Sequence, residues 1–252
     1  MKLRAVIFDV YGTLLEVGLP PLDADERWLA LWKRTLGGLP RLGLREFGAV
    51  CDKLIGQEHA TARARGVAHP EVFWPAIATK ALPELAGLAS ETQDEFFFCQ
   101  ARLWHTVRLM PGAANALRQL QQGPALLGFA SNSQPYTLRE LDEEFARAGL
   151  NRSRFHPALC FWSFEHGFSK PDAEVFRLLA KRLSTLGVTP AETLVVGDRL
   201  DNDIQPARAQ GFHTWHMVQE TAGLAGGPWN DLHRQLREQF DSKRGDESQL
   251  PG

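Results

Sequence analysis

The chain has 252 residues, 44% hydrophobic and 23% charged, which fits an ordinary folded protein of one large or two modest domains. A formal net charge of -2 predicts no nucleic-acid partner and no membrane surface, and apolar runs such as Ala125 to Ala130 are too short to span a bilayer. Three widely spaced cysteines, Cys51, Cys99 and Cys160, exclude a CxxC pair and indicate neither a disulfide framework nor a zinc site.

In chain order, residues 3–9 (Leu-Arg-Ala-Val-Ile-Phe-Asp) read as a buried strand ended by Tyr11-Gly12-Thr13. Met1 leads straight into this strand with no apolar leader run, so a cytoplasmic location is expected. From about Pro20 to His105 apolar residues recur at helical spacing, as in Trp28, Leu29, Leu31, Trp32 and Leu36, and no convincing strand is evident. Beyond it, strand-like runs return at 125–131 and 193–197, with weaker candidates at 157–161 and 214–217. Helical patterns at 113–122, 136–148, 173–186 and 204–210 lie between them. Strands alternating with helices predict an α/β fold with a parallel sheet. The helical stretch interrupting that alternation predicts a second, inserted module, and the polar residues from about 242 onward predict a frayed tail.

Ligands of open parallel sheets bind beyond the carboxyl ends of the strands, so the polar residues at those ends carry the functional reading. The first strand ends in Asp9, the second in Ser131-Asn132, and a third in Gly197-Asp198 with Asp201, Asn202 and Asp203 close behind. Lys170, at the mouth of the helix after Gly167-Phe168-Ser169, should converge on the same crevice. Carboxylates brought together repel unless a cation offsets them. Asp9, Asp198 and Asp203 form a hard-oxygen set suited to Mg²⁺. Lys170 would screen the remaining charge and hold an anionic group, while Ser131 and the backbone amides near Asn132 and Gly12 would hydrogen-bond its other oxygens. Asp9 is then aligned for in-line attack as the nucleophile.

These residues resemble the haloacid dehalogenase-like hydrolase superfamily. The resemblance rests on four ordered segments: Phe8-Asp9-Val10-Tyr11-Gly12-Thr13-Leu14, Ser131-Asn132, Lys170-Pro171-Asp172, and Val196-Gly197-Asp198-Arg199-Leu200-Asp201-Asn202-Asp203. It implies a Rossmann-like core (1–16 and 106–240), a helical cap (17–105) and a tail (241–252), with a covalent aspartyl intermediate at Asp9. The implied catalytic set is Asp9, Tyr11, Ser131, Asn132 and Lys170, with substrate held by Gly12, Thr13, Ser131, Asn132 and Lys170. The implied Mg²⁺ ligands are Asp9, the Tyr11 carbonyl, Asp198 and Asp203.

One position departs from the phosphatase pattern. Tyr11 stands where most phosphatases of the family place a second aspartate as general acid and base, and a phenol with pKa near 10 is a poor substitute. The Asp-x-Tyr-Gly-Thr pattern is typical of metal-independent 2-haloacid dehalogenases, which also use an arginine from the cap; Arg27 and Arg34 are the candidates here. The acidic fourth segment favours a Mg²⁺-dependent phosphohydrolase acting on a small phosphorylated metabolite, with low-pKa leaving groups preferred. The alternatives are a 2-haloacid dehalogenase and a catalytically weak ligand-binding protein of the same fold. Substrate identity and oligomeric state stay open.

Overall fold

A computed structural model of the chain describes residues 3–218 and 226–246, with residues 239–246 as backbone only. Strand β1 (Ala5–Phe8) is followed by β2 (Leu15–Gly18) and then by helices α1 (Ala24–Leu36), α2 (Leu44–Ala64), α3 (Trp74–Ala81) and α4 (Ser90–Ala101). Next come β3 (Thr106–Leu109), α5 (Ala113–Gln122), β4 (Leu126–Ser131), α6 (Pro135–Arg147), β5 (Cys160–Trp162), α7 (Ser163–His166) and α8 (Ala173–Thr185). The chain continues through β6 (Thr193–Gly197), a π-turn at Leu200–Ile204, α9 (Gln205–Ala209), β7 (His213–Met217), β8 (Gly226–Gly227) and α10 (Trp229–Asp246).

Six strands form one sheet in the order β5-β4-β1-β6-β7-β8, every neighbouring pair parallel. All four residues of β1 are buried, as a central parallel strand covered on both faces requires. Alternate residues enter different layers: Val6 and Phe8 pack with α5, α6 and α10, while Ala5 and Ile7 pack with α8 and Ala207 of α9. Helix α5 shows why it docks there, since Ala113, Ala116, Leu117 and Leu120 fall on one face and are buried. Asp172 accepts from the Glu174 amide and so starts α8, which places Lys170 just ahead of a fixed helix end.

The inserted helices have a core of their own. Trp28, Trp32, Phe47, Trp74, Ile77 and Phe96 belong to an apolar cluster distinct from the two that flank the sheet. Phe47 stacks on Trp28 at 5.2 Å and on Trp104 at 5.8 Å. The insert leaves and re-enters the core through β2 and β3, which pair antiparallel from Leu15↔Leu109 to Gly18↔Thr106. This two-stranded ribbon was not expected: it straddles the boundary at 16/17 and starts at the one at 105/106, and its half-exposed four-residue strands carry little apolar signal. Helix α10 runs to Asp246, into the segment expected to be a tail; residues 247–252 lie outside the described residues.

Candidate active site

The sheet order reverses at β1, whose neighbours β4 and β6 lead to opposite edges. Such a switch point opens a crevice beyond the strand ends. Asp9 follows β1 directly, its amide donating to Val196 O at 2.9 Å. Ser131 closes β4 on one side, and Gly197-Asp198 follows β6 on the other. Sheet topology thus brings together residues more than a hundred positions apart.

Lys170 is the centre of the charge arrangement. Its Nζ donates to Asp9 Oδ1 at 2.6 Å and to Asp203 Oδ1 at 2.5 Å, with the lysine side chain 3% exposed. Asp203 Oδ2 accepts the Arg199 amide at 3.0 Å, and Asp9 Oδ2 accepts the Thr13 hydroxyl at 3.1 Å. Burial pushes the Asp9 carboxyl up to about 6, against the lowering effect of Lys170 and with the repulsion of Asp203 and Asp198. Burial also raises Asp198, reinforced by Asp203. Burial alone would lower the Lys170 ammonium, but Asp9 and Asp203 together hold it above its ordinary range.

Two glycines let the carboxylates approach the backbone this closely. Gly12 has φ +82°, and a Cβ there would lie 2.3 Å from Asp198 Oδ2; at Gly197 a Cβ would lie 2.4 Å from the Asp203 Cβ. Asp203 itself sits on the π-turn, a local widening that recurs at functional sites.

Asp9, Asp198 and Asp203 each offer a carboxylate oxygen within 4.8 Å of the others. Three carboxylates face one ammonium, so the oxygen set carries excess negative charge and fits a hard divalent cation such as Mg²⁺. Ser131 Oγ is completely buried and has no hydrogen-bond partner, although a buried hydroxyl ordinarily finds one. A hydroxyl left open at the strand end is suited to an anionic ligand oxygen.

The remaining expected residues divide by what their side chains touch. The Asn132 side chain grips the Lys170 backbone in both directions: Nδ2 donates to Lys170 O at 2.9 Å and Oδ1 accepts Lys170 N at 2.8 Å. Its amide side chain therefore orients Lys170. Thr13 is fully buried against Asp9. The Tyr11 hydroxyl is engaged elsewhere, with Thr137 Oγ1 at 2.8 Å and Glu140 Oε2 at 2.5 Å. Burial, followed by the charge of Glu140, drives the phenol far above its usual range, so it stays neutral and its proton is directed at Glu140.

Arg27 is exposed and pairs with Asp23, while Arg34 points to Cys99 Sγ at 3.5 Å. Asp201 pairs with Arg199 on the surface, and the exposed His69 contributes its carbonyl to Ser169.

Some polar partners carried no sequence signal. His105 Nε2 meets Glu140 Oε1 at 2.9 Å, and His216 Nε2 lies 2.9 Å from the Asp198 carbonyl. Gln134 Oε1 accepts the Trp74 amide at 2.8 Å while its Nε2 donates to Val72 O and Glu71 Oε1. Glu71 Oε2 accepts the Ser163 hydroxyl at 2.8 Å, and burial raises this carboxyl. The Gln134 bonds join the insert to the loop that follows Ser131.

The chain resembles the phosphoserine phosphatase of Thermus thermophilus, 30% identical over 55% of this chain and 52% of that protein. It also resembles the glyceraldehyde 3-phosphate phosphatase of Methanopyrus kandleri, 40% identical over 29% of this chain and 28% of that protein. It spans about half or less of the length of these curated relatives. A solved 2-haloacid dehalogenase from Pseudomonas syringae pv. Tomato superposes with TM-score 0.58 at 21% identity, covering 95% of this chain and 99% of that one, a likeness of fold. The model of the haloacid dehalogenase-like hydrolases matches residues 3–211, across the inserted helices and all four strand-end segments. With that match and the parallel α/β core, the chain belongs to the haloacid dehalogenase-like hydrolase family.

Proposed function

We propose that this hydrolase is a Mg²⁺-dependent phosphohydrolase acting on a small phosphorylated metabolite through an aspartyl-phosphate at Asp9. The observation that carries the reading is the convergence of Asp9, Asp198 and Asp203 around a single ammonium. Those three side chains, with the Tyr11 carbonyl, would hold Mg²⁺, which when bound supplies positive charge against the oxygens of the transferring group. Asp9 attacks the phosphorus, Lys170 and Ser131 Oγ bind the phosphoryl oxygens, and water then hydrolyses the acyl phosphate. With its pKa at about 6, Asp9 is mostly ionised at neutral pH and competent to attack. Among the described residues no helix is long and apolar enough to cross a membrane. A cytoplasmic location is part of the proposal.

The 2-haloacid dehalogenase reading draws on Tyr11, since halide departure needs no proton and the phenol O–H is committed to a hydrogen bond with Glu140. It is weakened by the placement of Arg27 and Arg34, whose guanidinium groups are engaged with Asp23 and Cys99. A panel of phosphate esters and 2-haloacids, assayed with Mg²⁺ and with a chelator, separates the two. Phosphate release that disappears on chelation is expected; halide release that survives chelation would overturn the proposal.

A further inference from the structure

We infer that a cavity of about 700 Å³ between α2 and the segment 71–74 seats the leaving group, and that it selects a flat aromatic one, so that the substrates are aryl phosphate monoesters. The inference rests on the phosphohydrolase reading and adds the substrate class. Two residues that line the cavity, Gln134 and Tyr136, follow the loop carrying Ser131 and Asn132 in the chain, which ties it to the site. The Tyr136 ring lies 6.3 Å from that of His105, which lies 5.9 Å from Tyr11 in the nucleophile loop.

The chemistry of the lining sets the class. A sugar or other polyol needs several open donors and acceptors, and the inner polar groups here are already engaged. Both ends of the Gln134 amide are used, and Glu71 accepts from Val72 N, Gln134 Nε2 and Ser163 Oγ. The inner face carries Trp74 and Trp104, edge to face at 5.0 Å, together with Tyr136, while the exposed Arg45 and Asp52 also line the space. His59 Nε2 is buried without a partner, which leaves one polar contact for a ring substituent.

Gly48 gives an independent indication. It lies inside the 21-residue helix α2, where glycine weakens the helix relative to alanine, and its φ is not positive. A Cβ there would sit 3.9 Å from Trp104 Cζ2, so its absence keeps the indole open to the cavity. Leaving-group chemistry agrees. The Tyr11 proton is directed at Glu140, so the departing oxygen receives little help. A phenoxide, with a conjugate acid near 10, leaves unassisted far more readily than an alkoxide. The Asp9 Oδ–P bond forms as the P–O(aryl) bond breaks, the aryl oxide carrying away the electron pair; water then cleaves the acyl phosphate to inorganic phosphate and free Asp9.

The test compares phenyl phosphate, 4-nitrophenyl phosphate, glycerol phosphate and acetyl phosphate with Mg²⁺, in the native protein and in Gly48→Leu, whose side chain extends over Trp104 into the cavity without weakening the helix. The native protein should prefer the aryl esters over glycerol phosphate. The variant should lose about 10- to 100-fold in kcat/KM on aryl esters, the worth of one buried ring, and keep its acetyl phosphate turnover. Equal losses on aryl and acetyl phosphate, or no loss on aryl esters, would overturn the inference. If no phosphate compound is turned over, the phosphohydrolase reading has failed. The seat is then read by calorimetric titration of 4-nitrophenol into the native protein, where binding supports it and no binding overturns it.

Discussion

Replacing Lys170 with methionine keeps most of the side-chain volume and removes the one ammonium that holds Asp9 and Asp203 together. Each contact, at 2.6 and 2.5 Å, is worth about 6 kcal/mol gross at an effective dielectric of about 20, most of it offset by desolvation. Removing one partner of a buried pair costs about 3–5 kcal/mol net, because the other charges are left uncompensated. The loss should depend on pH. Asp9 already has its folded pKa raised from 3.8 to about 6, so the folded state keeps a proton that the unfolded chain releases. Stability from this group is therefore present at low pH and declines as pH climbs from about 4 to beyond 6. Without Lys170 the Asp9 carboxyl is held higher still and the window extends upward, so the deficit against the native protein is small near pH 5 and full near pH 8. Urea denaturation of the metal-free proteins at both pH values measures it. An equal deficit at pH 5 and pH 8 would show that packing was lost rather than charge compensation, and no deficit would refute the assigned role of Lys170.

Asp9→Asn should abolish turnover and leave the protein at least as stable as the native one at pH 8, since a neutral amide replaces a carboxylate whose ionisation burial opposes; a loss above about 2 kcal/mol in urea would contradict this. Gly12→Ala meets both a positive φ and Asp198 Oδ2, and should cost about 1–3 kcal/mol and weaken Mg²⁺ binding in a calorimetric titration. Undiminished affinity would exclude Asp198 from the metal set. Tyr11→Phe leaves Glu140 buried without that donor, for about 1–3 kcal/mol of stability, while aryl phosphate turnover persists. Lost turnover with stability intact would instead put the phenol in the chemistry.

The sheet was legible because its strands are short apolar runs between helices with clear faces. Helix α5 and strand β6 fall on residues 113–122 and 193–197 as read from the sequence, and β1 and β4 differ only at their ends. Asp9, Ser131, Lys170, Asp198 and Asp203 were legible because each lies at a strand end or helix mouth, where topology brings distant residues together. Side-chain direction was not. Nothing in the spacing says that Asn132 turns its amide onto the Lys170 backbone, or that Tyr11 reaches Thr137 and Glu140 in α6. The seat lined by Gly48, Trp104 and Gln134 is assembled from three separate segments, and no local pattern encodes it.

The segment before Trp74 also makes the insert's motion observable. The Glu71 amide donates to Gly167 O and the Ser169 amide to His69 O, so two stretches far apart in sequence are laced by reciprocal backbone bonds just ahead of Lys170. Lifting the insert must break both at once. These two amides should therefore exchange with deuterium at one shared rate, set by a single opening event rather than by fraying of either stretch. A ligand that bridges Lys170 and the insert should slow both to the same degree, which turns a pair of backbone protons into a gauge of how often the site admits solvent.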